Sequence, residues 1–357
     1  SGSARCRCPT GTIPAPAPDH RSAPRLRPAA SGLGAISQLN PTPSKGGSRM
    51  SAHTTGPRIQ PRRTTGVPYV LIVPAVVALL LGLGYPLIWQ IVTAFQKYGL
   101  SQQFGKPPEF VGFDNFANLV WNGEFWAVLA RSLVFCIVTA ALTVVIGVLM
   151  AVLMNAVGRV VRLILQIAML LAWAMPVAAA TTIFIWLFDR RRGVVNYLLD
   201  MIPGVDMNRY DWLGNPLTFF IVASVLIIWM SVPFVSFAVY AGLTQISDEV
   251  MEAAQIDGAN AWQRFQRIIV PMIRPVLSIV LLLQLIWDLR VFAQITLLKD
   301  AGSKSGDFDL LGTYIYKLGA ASNDFGMASA VSIIVLIITL AISWVYVREL
   351  IKEDEAQ

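Results

Sequence analysis

Six long apolar runs constrain what this chain can become. They occupy residues 67–95, 126–155, 160–188, 217–243, 275–298 and 325–347. A helix needs roughly 20 apolar residues to cross the hydrocarbon layer, and each run reaches that length. Lipid offers the backbone no hydrogen bonds, so such runs fold as helices. Hydrophobic residues make up 55% of the 357, charged residues 14%, and mean hydropathy is +0.60. A soluble domain carries roughly 25% charge, so a cytosolic enzyme, a secreted protein and a disordered scaffold are excluded. The expectation is an all-α membrane protein with six transmembrane helices. Pro74, Pro86, Pro176 and Pro233 fall inside runs, which bundled membrane helices tolerate. Gly82, Gly84 and Gly147 are expected to allow close helix packing.

The net charge of +7 comes largely from residues 1–66, which hold ten Lys and Arg and one acid, Asp19. That stretch is rich in Pro, Ala, Ser, Gly and Arg, and is expected to be a disordered basic tail. It lacks the apolar core of a signal peptide, and Met50 is a candidate native start. With the N-terminus inside, the inner segments carry 17 Lys and Arg against 9 outside. This bias puts both termini in the cytoplasm. Without residues 1–49 the counts become 10 against 9, and Arg190, Arg191 and Arg192 on the outer side run against the rule. Nucleic-acid binding is not indicated, because the charge excess sits in the tail.

Cys6, Cys8, His20 and His53 lie in the tail, and Cys136 lies in an apolar run. The body therefore has no histidine for a catalytic or metal site, and neither is expected. The outer segments at 96–125 and 189–216 contain clustered aromatic and apolar residues, including Phe110, Phe113, Trp121, Tyr210 and Trp212. They are expected to form short interfacial helices, with contact to an external partner as the alternative. Arg131, near the outer end of the second run, is expected to snorkel to the surface.

The segment at 244–275 is the most informative. Ser247 can cap a short helix with Asp248 and Glu249 in its first turn. Asp257-Gly258 breaks that helix, because glycine accepts the left-handed conformation of a helix end. Asn260 can cap a second helix carrying Trp262, Phe265 and Ile269 on one face, which Pro271 and Pro275 end before the fifth span. Such a protruding hairpin shows apolar surface that a partner should cover.

Within it, Glu252-Ala253-Ala254, Asp257-Gly258-Ala259, Phe265, Ile268, Pro271 and Pro275 resemble the "EAA" signature of ABC-importer permeases, in the carbohydrate branch with the maltose and glycerol-phosphate transporters. A Phe-Val-Gly-Phe-Asp-Asn-Phe segment at 110–116 and an Asp-Phe-Gly-Met-Ala-Ser-Ala segment at 324–330 are also similar to that family. The resemblance covers about residues 67–350 and implies a type I importer permease of the bacterial cytoplasmic membrane. It implies two ATP-binding-cassette ATPase subunits, a second homologous permease and an extracellular sugar-binding protein. It further implies that the loop docks on the ATPase, with Glu252 as the charged contact, Ala253 and Ala254 keeping the face small, and Asp257, Gly258 and Ala259 forming the turn. The chain lacks a Gly-x-x-x-x-Gly-Lys-Ser/Thr phosphate loop. ATP and Mg therefore belong to the partner, and the chain itself holds no cofactor. The alternative for the loop is a plain helical hairpin.

Ionisable groups within a span are functional-site candidates. In the fifth run Gln284 and Asp288 share a face at i, i+4, and Trp287, Arg290 and Gln294 form a neighbouring stripe. An aromatic platform beside hydrogen-bonding side chains suits a sugar, and a structural polar network is the alternative. Trp229, Ser231, Tyr240, Ser329 and Ser332 are further candidates for the pathway. The leading reading is a sugar importer permease that is not an enzyme. The alternatives are a permease for glycerol phosphate, an amino acid or a peptide, and an ATP-independent channel or scaffold. An intramembrane enzyme would need paired catalytic groups, and Asp288 is the one clear carboxylate within the runs.

Overall fold

The computed structural model describes residues 67–355 except 205, 303 and 304. The tail expected at 1–66 and the candidate start at Met50 lie outside the described residues. The first span is α1 (Val67–Leu79), a π-helical turn (Leu80–Gly84) and α2 (Tyr85–Ala94). Short β1 (Gln96–Lys97) and β2 (Glu109–Phe110) pair antiparallel around α3 (Leu100–Gln103), with Gln96 opposite Phe110. α4 (Asp114–Val120) follows, pinned by the Asn115 amide, which donates to the carbonyls of Ala94 (2.8 Å) and Gln96 (3.0 Å). The outer segment therefore contains the expected short helices.

The second span, α5 (Gly123–Ala156), starts at Asn122, whose Oδ1 accepts from the Glu124 and Phe125 amides. The third apolar run is two helices, α6 (Arg159–Trp173) and α7 (Val177–Leu187), bent by 99° at the break. Pro176 has no amide to continue the ladder. α8 (Val194–Asp200) lies in the next outer loop, as expected, and α9 (Pro216–Leu243) is the fourth span. α10 (Asp248–Ile256) and α11 (Ala261–Arg264) form the hairpin, and a π-turn (Phe265–Ile269) joins α11 to α12 (Val270–Leu289). Beyond α12 come α13 (Ala293–Ala301), α14 (Leu311–Tyr316) and the sixth span, α15 (Phe325–Glu355).

The fifth span differs from expectation at both ends. Pro271 does not end the hairpin helix, because the helix runs unbroken from Ala261 to Leu289. The Val270 amide bonds the Phe265 carbonyl, five residues back, and this wider turn makes room for the proline ring. Helix α12 stops at Leu289, so Arg290 and Gln294 do not extend a stripe from Trp287.

Three apolar clusters hold the bundle. Nearest the outer loops, Phe219, Ile295, Leu298 and Phe308 pack with Phe184 of α7. A second unites α4, α5, α14 and α15 through Leu119, Val128, Leu311, Tyr314 and Val331. The third, next to the hairpin, joins α5, α9 and α12 through Val148, Ala151, Val235, Val239, Ile273 and Val280. Here Gly147 does allow close packing, since a Cβ on it would lie 2.4 Å from Val235 Cγ1. Gly82 and Gly84 do not, because a Cβ at Gly82 meets nothing within 4 Å and one at Gly84 meets only Leu80 of its own turn. Both lie on the first span, whose apolar side chains stay exposed in the monomer.

Arg131 also departs from expectation. Its guanidinium donates to the carbonyls of Gly306 (3.1 Å) and Asp309 (3.0 Å) and lies over the Phe220 ring. It straps the α13–α14 connection to α5 instead of reaching for the surface. Buried Asp309 pairs with Lys299, and the Leu311 amide donates to Ser132 Oγ at 2.8 Å.

Candidate coupling loop and substrate cavity

The hairpin is built by backbone geometry at its turn. Gly258 has φ +79°, its amide donates to Gln255 O at 3.0 Å, and the Ala259 amide reaches Ala254 O at 3.0 Å. This is the Schellman pattern that satisfies the last carbonyls of α10. Asn260 then opens α11 with a reciprocal cap. Its Oδ1 accepts from the Gln263 amide (2.8 Å), while Gln263 Oε1 accepts from the Asn260 amide (2.9 Å). Ser247 sits at the start of α10 with extended backbone but makes no side-chain cap, so Asp248 and Glu249 supply the favourable charge there.

Glu252, Ala253 and Asp257 are exposed, Ala254 is buried and Ala259 is half-buried. Ile256 and Trp262 are 86% and 63% exposed, large apolar groups at the tip. Trp262 stacks on Phe265 with ring centroids 5.6 Å apart. Phe265 and Ile269 face inward onto the cluster of Val239, Leu243 and Ile273. Pro271 is exposed on the opposite side of the same helix.

Twenty-nine residues of continuous helix lead from that tip to Leu289, about 43 Å at 1.5 Å per residue. There the backbone opens for three residues, 290–292, before α13. Val291 O faces Gly312 so closely that a Cβ at Gly312 would sit 2.7 Å from it. This break and the one before Pro176 border one cavity of about 430 Å³. Trp173, Ser231, Phe234, Trp287, Arg290 and Gln294 contribute to its wall. Irregular backbone in a membrane is tolerated where it lines a cavity, and the volume suits a small ligand. Trp287 packs on Phe234 at 5.1 Å, which fixes its ring at the wall. Among the described residues, Arg290, Gln294 and Ser231 make no side-chain hydrogen bond, so their polar ends are available.

A family profile for the "Binding-protein-dependent transport system inner membrane component" matches residues 143–348. The diacetylchitobiose uptake system permease protein DasB of Streptomyces coelicolor is 38% identical over 288 residues, 81% of this chain and 88% of DasB. The inner membrane ABC transporter permease protein YcjO of Escherichia coli K12 is 31% identical, covering 77% of this chain and 92% of YcjO. A chain of the bacterial alginate ABC transporter, solved with an alginate pentasaccharide-bound periplasmic protein, superimposes with TM-score 0.67 at 26% identity, covering 78% of this chain and 92% of that one. The chain belongs to the binding-protein-dependent transport permeases. It has the type I permease fold and is a multi-pass component of the bacterial inner membrane.

In this permease the sequence candidates separate by location. Trp287, Asp288, Arg290 and Gln294 border the cavity, although the last two leave the α12 helix to do so. Gln284 does not line it. Both Gln284 and Asp288 are buried, and Gln284 Nε2 donates to Asp288 Oδ1 at 2.8 Å, so Gln284 acts as a buttress behind the wall. Trp229 points elsewhere and packs on Phe184 at 5.8 Å. Tyr240 lies beneath the hairpin, under the Arg162 guanidinium at 5.7 Å. Ser332 donates to Ala328 O and lines a second cavity of about 390 Å³, and half-buried Ser329 lines neither. Arg290 borders both cavities. Trp173, Met230, Phe234 and Phe292 were not singled out by the sequence, and Pro176, next to the break that follows Trp173, reads there only as tolerated within the span.

Proposed function

We propose that this permease forms the membrane pathway of a sugar importer and couples it to separate ATPase subunits through the 244–275 loop. The observation that supports this reading best is the single helix that begins at the capped docking turn and ends at the cavity. A displacement of the turn moves Trp287 and Asp288 with it. Glu252 is the charged contact to the ATPase, Ala253, Ala254 and Ala259 keep the docking face small, and Asp257 and Gly258 form its turn. Phe265 packs the helix onto the bundle, while Pro271, on its exposed side, belongs to the docking surface. ATP and Mg are bound by the ATPase, and the permease performs no bond chemistry of its own. A second homologous permease completes the pathway, and an external binding protein delivers the sugar. Residues 67–350 form the permease domain, flanked by the tail at 1–66 and a short C-terminal tail at 351–357.

The sugar assignment is supported by Trp287 and Trp173 beside Arg290, Gln294 and Ser231. It is also supported by similarity to DasB, a diacetylchitobiose permease by name. The test is uptake of labelled mono- and oligosaccharides by proteoliposomes holding the complete importer. Glu252→Ala should lower co-purification of the ATPase and abolish ATP-driven uptake. Uptake of an amino acid or glycerol phosphate in place of every sugar would sink the sugar reading. Uptake without ATP would sink the importer reading.

A further inference from the structure

The loop between α7 and α9 holds four arginines on the outer side, where basic residues are disfavoured. Its scaffold is well built. Buried Asn196 donates to the carbonyls of Arg190 (3.4 Å) and Tyr210 (3.0 Å) and accepts from Trp212 Nε1 at 2.6 Å. One asparagine thus ties the two halves of the loop together. Asp189 Oδ1 accepts from the amides of Arg191 (2.9 Å) and Arg192 (2.8 Å), which fixes the turn that presents both side chains. Those two amides hold the Asp189 carboxyl below the usual carboxylate range.

Arg190, Arg191, Arg192 and Arg209 surround a cavity of about 450 Å³. Arg190 is partly engaged, with Nε on Arg209 O at 3.2 Å and Asp211 at 3.9 Å. Among the described residues the guanidinium groups of Arg191, Arg192 and Arg209 make no hydrogen bond or salt bridge, although the charges of Arg191 and Arg192 also help hold the Asp189 carboxyl down. Asp200 is the one carboxylate that lines this cavity. The site therefore carries an excess of cationic donors shaped for an anion.

Its neighbour is apolar. Tyr197 also lines the cavity, and Tyr197, Leu198, Met201 and Ile202 are 65%, 56%, 60% and 50% exposed. Tyr197 on α8 and Met201, the residue that caps its C-terminal end, are four positions apart and so share a face. α9 is long and apolar enough to cross the membrane and α7 only together with α6, so the loop between α7 and α9 joins two membrane-embedded helices and lies near the bilayer surface. A short helix with exposed apolar side chains beside a basic cluster, at that level, has the pattern of lipid contact.

We propose that this loop binds an anionic phospholipid of the outer leaflet, its phosphate held by Arg191, Arg192 and Arg209 and its acyl chains along Tyr197 of α8 and Met201 at its C-terminal end. The importer complex, purified from its native membrane, is placed in nanodiscs of phosphatidylcholine containing a minority of phosphatidylglycerol, and retained lipid is counted by native mass spectrometry. Each basic residue near a charged lipid surface is worth about fivefold, so R191Q/R192Q/R209Q should weaken phosphatidylglycerol retention about a hundredfold. R191K/R192K/R209K should keep most of it. Tyr197→Ser with Met201→Ser should lower retention while leaving the charges in place. Unchanged retention in the Gln variant, with an unchanged melting temperature, would overturn the proposal. So would loss of binding-protein docking with retention intact, which would make the patch an acidic-protein contact. Full displacement by soluble glycerophosphate at equal concentration would also overturn it, by placing the affinity in the phosphate alone.

Discussion

At the residue scale, Gly258 has the clearest single role. Its positive φ, and not crowding, excludes other side chains, because a Cβ there meets nothing within 4 Å. Gly258→Ala should cost the hairpin about 1 kcal/mol, and Gly258→Asn less, since asparagine visits that conformation more readily. Hydrogen exchange of the Ala259 amide in both variants measures the difference, and equal protection would refute the strain account. Asp189 gives a pH dependence. Its carboxyl titrates lower when folded, so its contribution to the outer turn is fully present above the unfolded carboxylate range. That contribution is lost as pH falls through the lower folded value. Asp189→Asn should abolish this acid sensitivity in exchange of the Arg191 and Arg192 amides, whereas sensitivity that survives would assign it to another group. Gly258 and Asn260 were legible in the sequence because capping chemistry is local. Gln284 was legible only in part, since spacing paired it with Asp288 but could not say that Asp288 borders the cavity while Gln284 sits behind its wall.

At the element scale, apolar runs located every span but not their breaks. Hydropathy averages over backbone direction, so the 99° bend in the third run and the opening after Leu289 left no trace in it. Pro176 reads as a proline tolerated within one span, yet the first break lies there, while Pro271 suggests an end that the π-turn removes. Nothing local in residues 290–292 announces the second break. It is fixed from outside by Gly312, whose missing Cβ admits Val291 O. Gly312→Ala should therefore displace the break and lower substrate-stimulated ATPase activity at least severalfold, with the spans still inserted. A wild-type response would show that the close approach is dispensable. Gly147→Leu tests the α5–α9 contact, where overpacking against Val235 should cost about 1–3 kcal/mol. Thermal unfolding of the purified complex reads that loss.

At the scale of the whole molecule, the first span and the hairpin tip both expose large apolar side chains, as does the outer segment with Phe104 and Trp121. Leu71, Leu80, Leu81 and Leu83 lie on the first span, and Ile256 and Trp262 at the tip. Lipid can cover the first span without a protein partner, but the tip stands beyond the apolar runs. Trp262→Ser should weaken ATPase association in pull-downs about as strongly as Glu252→Ala, by roughly 2 kcal/mol for a buried aromatic anchor. Intact association would remove Trp262 from the docking face. The helix from Ala261 to Leu289 adds a mechanical consequence. A rod without a hinge has no slack, so docking and pathway cannot move on separate schedules. Its backbone ladder departs from the regular pattern near the docking end, at the π-turn Phe265–Ile269 and at Pro275. Loosening that end of the rod should then raise the fuel spent without cargo, the idling rate of the machine.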